Sequence, residues 1–189
     1  MRDPARSRRR LLDAAAAEFA QYGVAGARVD RIAAAAGVNK AQMYAWFGSK
    51  DGVFDAVFAE HLTGILDAVP FTPEDLPGYA VRLYDSYLTG PELVRLASWN
   101  RLERVPNGDL LAEHAHLTQP KYDAIAAAQR AGHVVADLDP RDVYALVIAL
   151  AGTWSPVSAT HTASGHDPDE DHERRRAALR ATVARCLVA

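Results

Sequence analysis

The sequence predicts an all-α protein of about nine helices, and three observations carry that reading. Of its 189 residues, 37 are Ala, the residue with the best intrinsic helix propensity. Apolar side chains recur at three- and four-residue spacing along almost the whole chain, the period of an amphipathic helix. Strand-like alternation never extends beyond His133-Val134-Val135, and no internal repeat is visible. Hydrophobic residues make up 49% and charged residues 24%, a globular balance that excludes disorder as the main state.

The elements follow in order. Asp3-Pro4 reads as a cap with proline in the first turn, and Leu11, Leu12, Ala15, Ala16, Phe19 and Ala20 continue a helix to about residue 22, where Tyr22-Gly23 stops it. Val29, Ile32, Ala33 and Ala36 form a short second helix ending at Gly37, and Met43 and Phe47 lie one turn apart on a third. Ser49 caps a longer helix carrying Val53, Phe54, Val57, Phe58, Leu62, Ile65, Leu66 and Val69, closed by Pro70 and Pro73. Further helices are expected at about 77–89, 91–104 and 109–131, the last broken or kinked by Pro120. Pro140 opens a very apolar helix, 159–168 is a polar loop expected to be mobile, and Glu170–Leu187 is the last helix.

Composition also narrows the function. A single cysteine, Cys186, excludes an internal disulfide framework and a Cys-based zinc finger. No run of 18 apolar residues exists, so no membrane partner is expected and a cytoplasmic protein is the default. The net charge of −3 hides an asymmetry: residues 1–50 hold nine Lys/Arg against four acids, net +5, and the remainder is net −8. A basic end on an acidic body fits a nucleic-acid-binding module joined to something else.

The stretch Val29–Lys50, VDRIAAAAGVNKAQMYAWFGSK, carries the chemistry. Two short helices meet at Gly37 with the small Ala33 four residues earlier, the pattern of a helix-turn-helix. Ile32, Val38, Met43 and Phe47 are expected in the core. Asn39, Lys40, Gln42, Ala45 and Trp46 are left outside with Tyr44 at the edge, a set of donors, acceptors and planar rings suited to the major groove. Lys50 opens the next helix, where a cation and free amides suit a phosphate.

These residues resemble the TetR (tetracycline-repressor-like) family of bacterial regulators. The resemblance covers about 50 residues, with landmarks at Leu12, Ala15, Phe19, Gly23, Val29, Ile32, Ala33, Ala36, Gly37, Val38, Met43-Tyr44, Phe47-x-Ser49-Lys50 and Phe54. It implies a helix-turn-helix DNA-binding domain at 1–49 and a helical effector-binding and dimerisation domain at 50–189. It also implies that Lys40, Ala41, Gln42, Tyr44 and Trp46 contact DNA and that Lys50 touches a phosphate. Two departures stand out. Ala27-Arg28 replaces the Thr or Ser that usually caps the second helix, a loss of about 0.5–2 kcal/mol that Asp30 partly offsets. Trp46 stands where the family often has His.

The implied function is a ligand-responsive regulator, a repressor that binds a palindromic double-stranded DNA operator as a homodimer and is released by a small apolar or aromatic effector. Dimerisation is expected through the last two helices, by Val143, Leu146, Val147 and Leu150, with Trp154 ending the same stripe, and by Leu179, Val183 and Leu187. Tyr84, Trp99, Asn100, Tyr122 and Trp154 are the expected effector-lining residues. No cofactor is expected. His114-x-His116 and the group His161, His166, Asp167, Asp169, Asp171 and His172 lack the pattern of a closed metal site. The alternatives are a DNA-binding regulator without a small-molecule effector, and a helical enzyme. The second lacks a Gly-rich phosphate loop, a nucleophile motif and an HExxH sequence.

Overall fold

The computed structural model describes residues 4–67 and 69–189. Among the described residues nine α-helices follow one another: α1 (Pro4–Gly26), α2 (Val29–Ala36), α3 (Lys40–Phe47), α4 (Lys50–Asp67), α5 (Leu76–Thr89), α6 (Pro91–Glu103), α7 (Ala115–Arg130), α8 (Pro140–Ala151) and α9 (Asp169–Leu187). Asp3, the expected cap of α1, lies outside the described residues, as does the side chain of Ile65. Val134 and Val188 form an isolated antiparallel bridge. No helix among the described residues is long and apolar enough to cross a membrane.

Local chemistry sets most boundaries. Gly23, at φ 72° and ψ 178°, interrupts α1 where expected, and one more turn runs on to Gly26; this backbone region is open essentially to glycine alone. Gly37 takes the left-handed conformation at the end of α2. Asn39 Oδ1 accepts the Gln42 amide at 2.7 Å and caps α3, and Ser49 Oγ accepts the Gly52 amide at 3.0 Å at the start of α4. The expected helix over 109–131 is divided: a 3-10 turn at Ala112–His114 precedes α7. Pro120 sits in the second turn of α7 instead of ending it, where its missing N–H removes one intrahelical bond.

The chain packs as two compact units. The first comprises the described residues up to 65 together with 92–110, and the second comprises 66–91 with 111–189. By packing, α4 to residue 65 and the whole length of α6 from Glu92 therefore go with α1–α3. Leu11, Phe19, Ile32, Met43, Phe54 and Leu96 are fully buried in the first unit, with Phe19 edge-on to Phe54 at 5.1 Å. The Trp99 indole N–H of α6 donates to Ala20 O at 3.4 Å. Glu103 accepts the Ala25 amide at 2.8 Å, and Arg104 pairs with Asp51 and Asp55 of α4.

In the second unit Tyr79, Tyr84, Ile125, Val143, Val147, Leu179, Val183 and Leu187 form the core. This corrects the expected dimer stripe. Val143, Val147, Leu179, Val183 and Leu187 are buried against their own chain, whereas Leu146 is 43% exposed and Leu150 is half-buried. On a helix as apolar as α8, periodicity does not distinguish the face turned inward from the face turned outward. Full burial of each such side chain contributes roughly 1.5–3 kcal/mol, which favours the intramolecular core.

Several polar groups of this unit are also tied down, although Ser155 Oγ and Arg175 Nε are buried without a partner among the described residues. Tyr84 Oη and His172 Nδ1 share a buried 2.6 Å hydrogen bond. Arg175, 3% exposed, donates to Asp167 Oδ2 at 2.6 Å and to His161 Nε2 at 3.0 Å. The Arg175 guanidinium holds the Asp167 carboxyl below its usual range, helped by the Ser164 amide. The 159–168 loop, expected to be mobile, is thus anchored to α9 at two side chains.

Candidate nucleic-acid interface

The interface is built by α2, the turn at Gly37 and α3. Ile32, Ala33 and Ala36 of α2 and Met43 of α3 are buried, which fixes how the two helices cross. Val38 and Phe47, expected in the core, are half-buried. Lys40, Ala41, Gln42, Tyr44 and Ala45 are exposed, Tyr44 by 45%, so α3 presents most of the residues expected to meet DNA. Trp46 is half-buried, edge-on to Phe47.

Several of these groups have partners within the chain. The Lys40 ammonium pairs with Asp30, whose carboxyl this hydrogen bond holds below its usual range. The pair joins α2 to α3 and is solvent-exposed on both sides, so exchanging it for DNA costs little. Lys50 is placed differently. Its ammonium donates to Ala25 O at 3.2 Å and Ala27 O at 3.3 Å, satisfying carbonyls at the end of α1 beside an open polar recess of about 560 Å³ also lined by Val24, Asp51, Glu103 and Arg104. Two of its three protons are spent inside the protein.

Sequence reasoning missed the residue that replaces the absent cap of α2. Arg28 makes no side-chain cap; instead Glu18 of α1 accepts the Arg28 amide at 2.8 Å and pairs with Arg31. Burial pushes the Glu18 carboxyl up, but Arg31 and the Arg28 amide together hold it below its usual value. Asp30, expected to compensate, is engaged with Lys40. The signal for Glu18, an acid among the apolar residues of α1, was visible, but its partners lie 10 and 13 residues away.

The expected effector residues do not converge. Trp99 and Asn100 lie on α6 in the first unit, where Trp99 packs on α1. Tyr84, Tyr122 and Trp154 lie in the second. There Tyr84 is edge-on to Trp154 at 5.9 Å, and Tyr122 is edge-on to Tyr144 at 5.8 Å.

A three-helix module packed around a buried core, with α3 exposed after the turn, and a second helical unit fit a helix-turn-helix DNA-binding protein. Residues 11–57 match the family of bacterial regulatory proteins of the tetR type, and residues 75–185 match the tetracyclin repressor-like C-terminal domain. HTH-type transcriptional repressor SCO4008 of Streptomyces coelicolor is 38% identical over 160 residues, covering 82% of this chain and 81% of the relative. The solved structure of SCO4942, assigned as a transcriptional regulator of the same species, is 36% identical at a TM-score of 0.76, covering 95% of this chain and 97% of the other. A regulator from Saccharomonospora viridis solved in complex with choline shares the fold at 19% identity and a TM-score of 0.68, covering 98% and 99% of the two chains. The chain belongs to the TetR family of transcriptional regulators.

Proposed function

We propose that this regulator is a repressor that binds a palindromic operator as a homodimer and leaves it when a small organic effector binds the second unit. The observation that carries the reading is the outward face of α3, with Gln42 exposed and capped in place by Asn39. One such helix per subunit of a two-fold dimer recognises a palindrome. Repression is supported by the 38% identical relative, itself a transcriptional repressor.

The dimer forms through the outer faces of α8 and α9, not through the residues buried between them. Leu146 and Ala149, three residues apart on α8, and the adjacent Ala177 and Ala178 of α9 are exposed, a small apolar surface suited to close helix packing across a two-fold axis. The effector seat lies among the aromatic side chains of α5, α7, α8 and the 3-10 turn that follows α8, where Tyr84 is edge-on to Trp154 and, as a separate pair, Tyr122 is edge-on to Tyr144, and burial pushes the Tyr87 phenol up to about 12. The choline-bound neighbour supports a small organic ligand in this architecture. An effector that prefers one spacing of the two α3 helices lowers operator affinity by its differential affinity for the two states.

The test joins selection of binding sites from random DNA to sedimentation of Leu146→Glu. We expect a palindromic site for the wild type, and a folded monomer that has lost it for the variant. A folded Leu146→Glu dimer places the interface elsewhere, and a selected site without two-fold symmetry removes the dimeric reading.

A further inference from the structure

In the sequence Arg6, Arg8, Arg9 and Arg10 form one basic patch; in the structure the patch divides in two. The Arg8 guanidinium stacks on the Phe47 ring at 4.9 Å. Arg9 pairs with Asp13 at 3.1 Å and Glu60 at 2.8 Å. These two arginines fasten α1 to α3 and α4. Arg6 and Arg10 are exposed, and neither makes an ion pair among the described residues.

Their location matters as much as their freedom. Four residues apart, they share one face of α1. Arg10 Nη2 lies 3.8 Å from the place a Cβ on Gly37 would take, which puts its guanidinium at the turn between α2 and α3. Pro4 and Ser7, from the same turns of α1, line a recess of about 280 Å³ with Gly37, Asn39, Gln42 and Trp46. The face carrying Arg6 and Arg10 therefore adjoins the start of the helix that reads DNA.

We propose that Arg6 and Arg10 clamp the phosphodiester backbone of the strand bordering the groove read by α3. This rests on the DNA-binding reading and extends it to a part of the chain with no assigned contact. A guanidinium presents a planar fork of donors that matches phosphate oxygens, and among the described residues these two have no ion pair to break first. The clamp carries no sequence information, because phosphates are the same at every base pair.

The test is a salt titration of the full-length protein on the selected operator and on a scrambled duplex, for wild type, Arg6→Ala, Arg10→Ala, the double variant and Arg9→Ala. Each single loss should reduce the log-salt slope by about one unit per half-site, on both DNAs alike. Two phosphate contacts fewer per dimer make the affinity lost between 50 and 200 mM salt about tenfold smaller. Arg9→Ala should keep the wild-type slope, and the melting temperatures of Arg6→Ala and Arg10→Ala should equal that of the wild type. Wild-type slopes in Arg6→Ala and Arg10→Ala overturn the clamp, as does a loss confined to the operator or an equal fall in slope with Arg9→Ala. If the wild type selects no site at all, the DNA-binding reading falls with it, a result distinct from all of these.

Discussion

The two units handle polar side chains in opposite ways. In the first, Lys40, Gln42 and Tyr44 stand exposed on α3, and the contacts they make within the chain are few and exchangeable. In the second, Tyr84, His172, Arg175 and Asp167 are bonded to one another in or beside the core. An exposed donor with a weak partner is ready for another molecule, whereas a buried donor must be satisfied at home. The first unit therefore shows its function on its surface, and the second uses most of its chemistry to hold itself together.

Substitutions can break this contrast from either side. The largest effect is expected in the second unit. Leu179, 3% exposed, should cost about 2–5 kcal/mol when cut to Ala, because the cavity left in a packed core collapses only partly. Thermal or denaturant unfolding of Leu179→Ala measures this, and a loss below 1 kcal/mol would mean that α9 is loosely seated. Gln42→Ala in the first unit should leave the unfolding curve unchanged yet weaken operator binding by about 1–3 kcal/mol per half-site. It should relax preference at one base position, with scrambled DNA bound as before; equal losses on both DNAs would make Gln42 a backbone contact.

The smallest effect sharpens the one place where the first unit behaves like the second. Glu18 is nearly buried and has a folded-state pKa below its usual 4.5. A depressed carboxyl gives its full stabilisation above the unfolded pKa and loses it as pH falls through the folded value. Melting curves of wild type and Glu18→Gln from pH 7 to pH 3 should therefore show a stability gap that is steady at neutral pH and narrows from about pH 4.5 downward. A gap independent of pH would mean that the Arg28 amide, and not the charge facing Arg31, accounts for what Glu18 does.

The limits of the sequence reading follow the same division. Gly37 and Ser49 act over three or four residues, so the turn and the start of α4 were legible, and with them the exposed face of α3; Asn39, read only as part of that face, proves to be the cap of α3. The internal partners of Lys50 were not legible, because the carbonyls it meets lie 23 and 25 residues back. Trp99 was assigned to an effector site, although its partner Ala20 is 79 residues away and nothing local announces it. In α8 and α9 the helices themselves were legible, but their inward and outward faces were not: Val147 and Leu146 are neighbours of similar hydrophobicity, one fully buried and one 43% exposed.

The chain passes between the two units three times, near residues 65, 91 and 110, so no single cut lifts the DNA-reading part away intact. A chimera joining residues 1–65 to the remainder of a relative would bring a foreign α6 against this chain's α1. The fit there is tight: a Cβ at Gly23 would already meet the Trp99 ring at 3.1 Å and the Glu103 carboxylate at 2.7 Å. For exchange of operator specificity between relatives, the portable cassette is thus discontinuous, and residues 92–110 have to travel with the N-terminal segment.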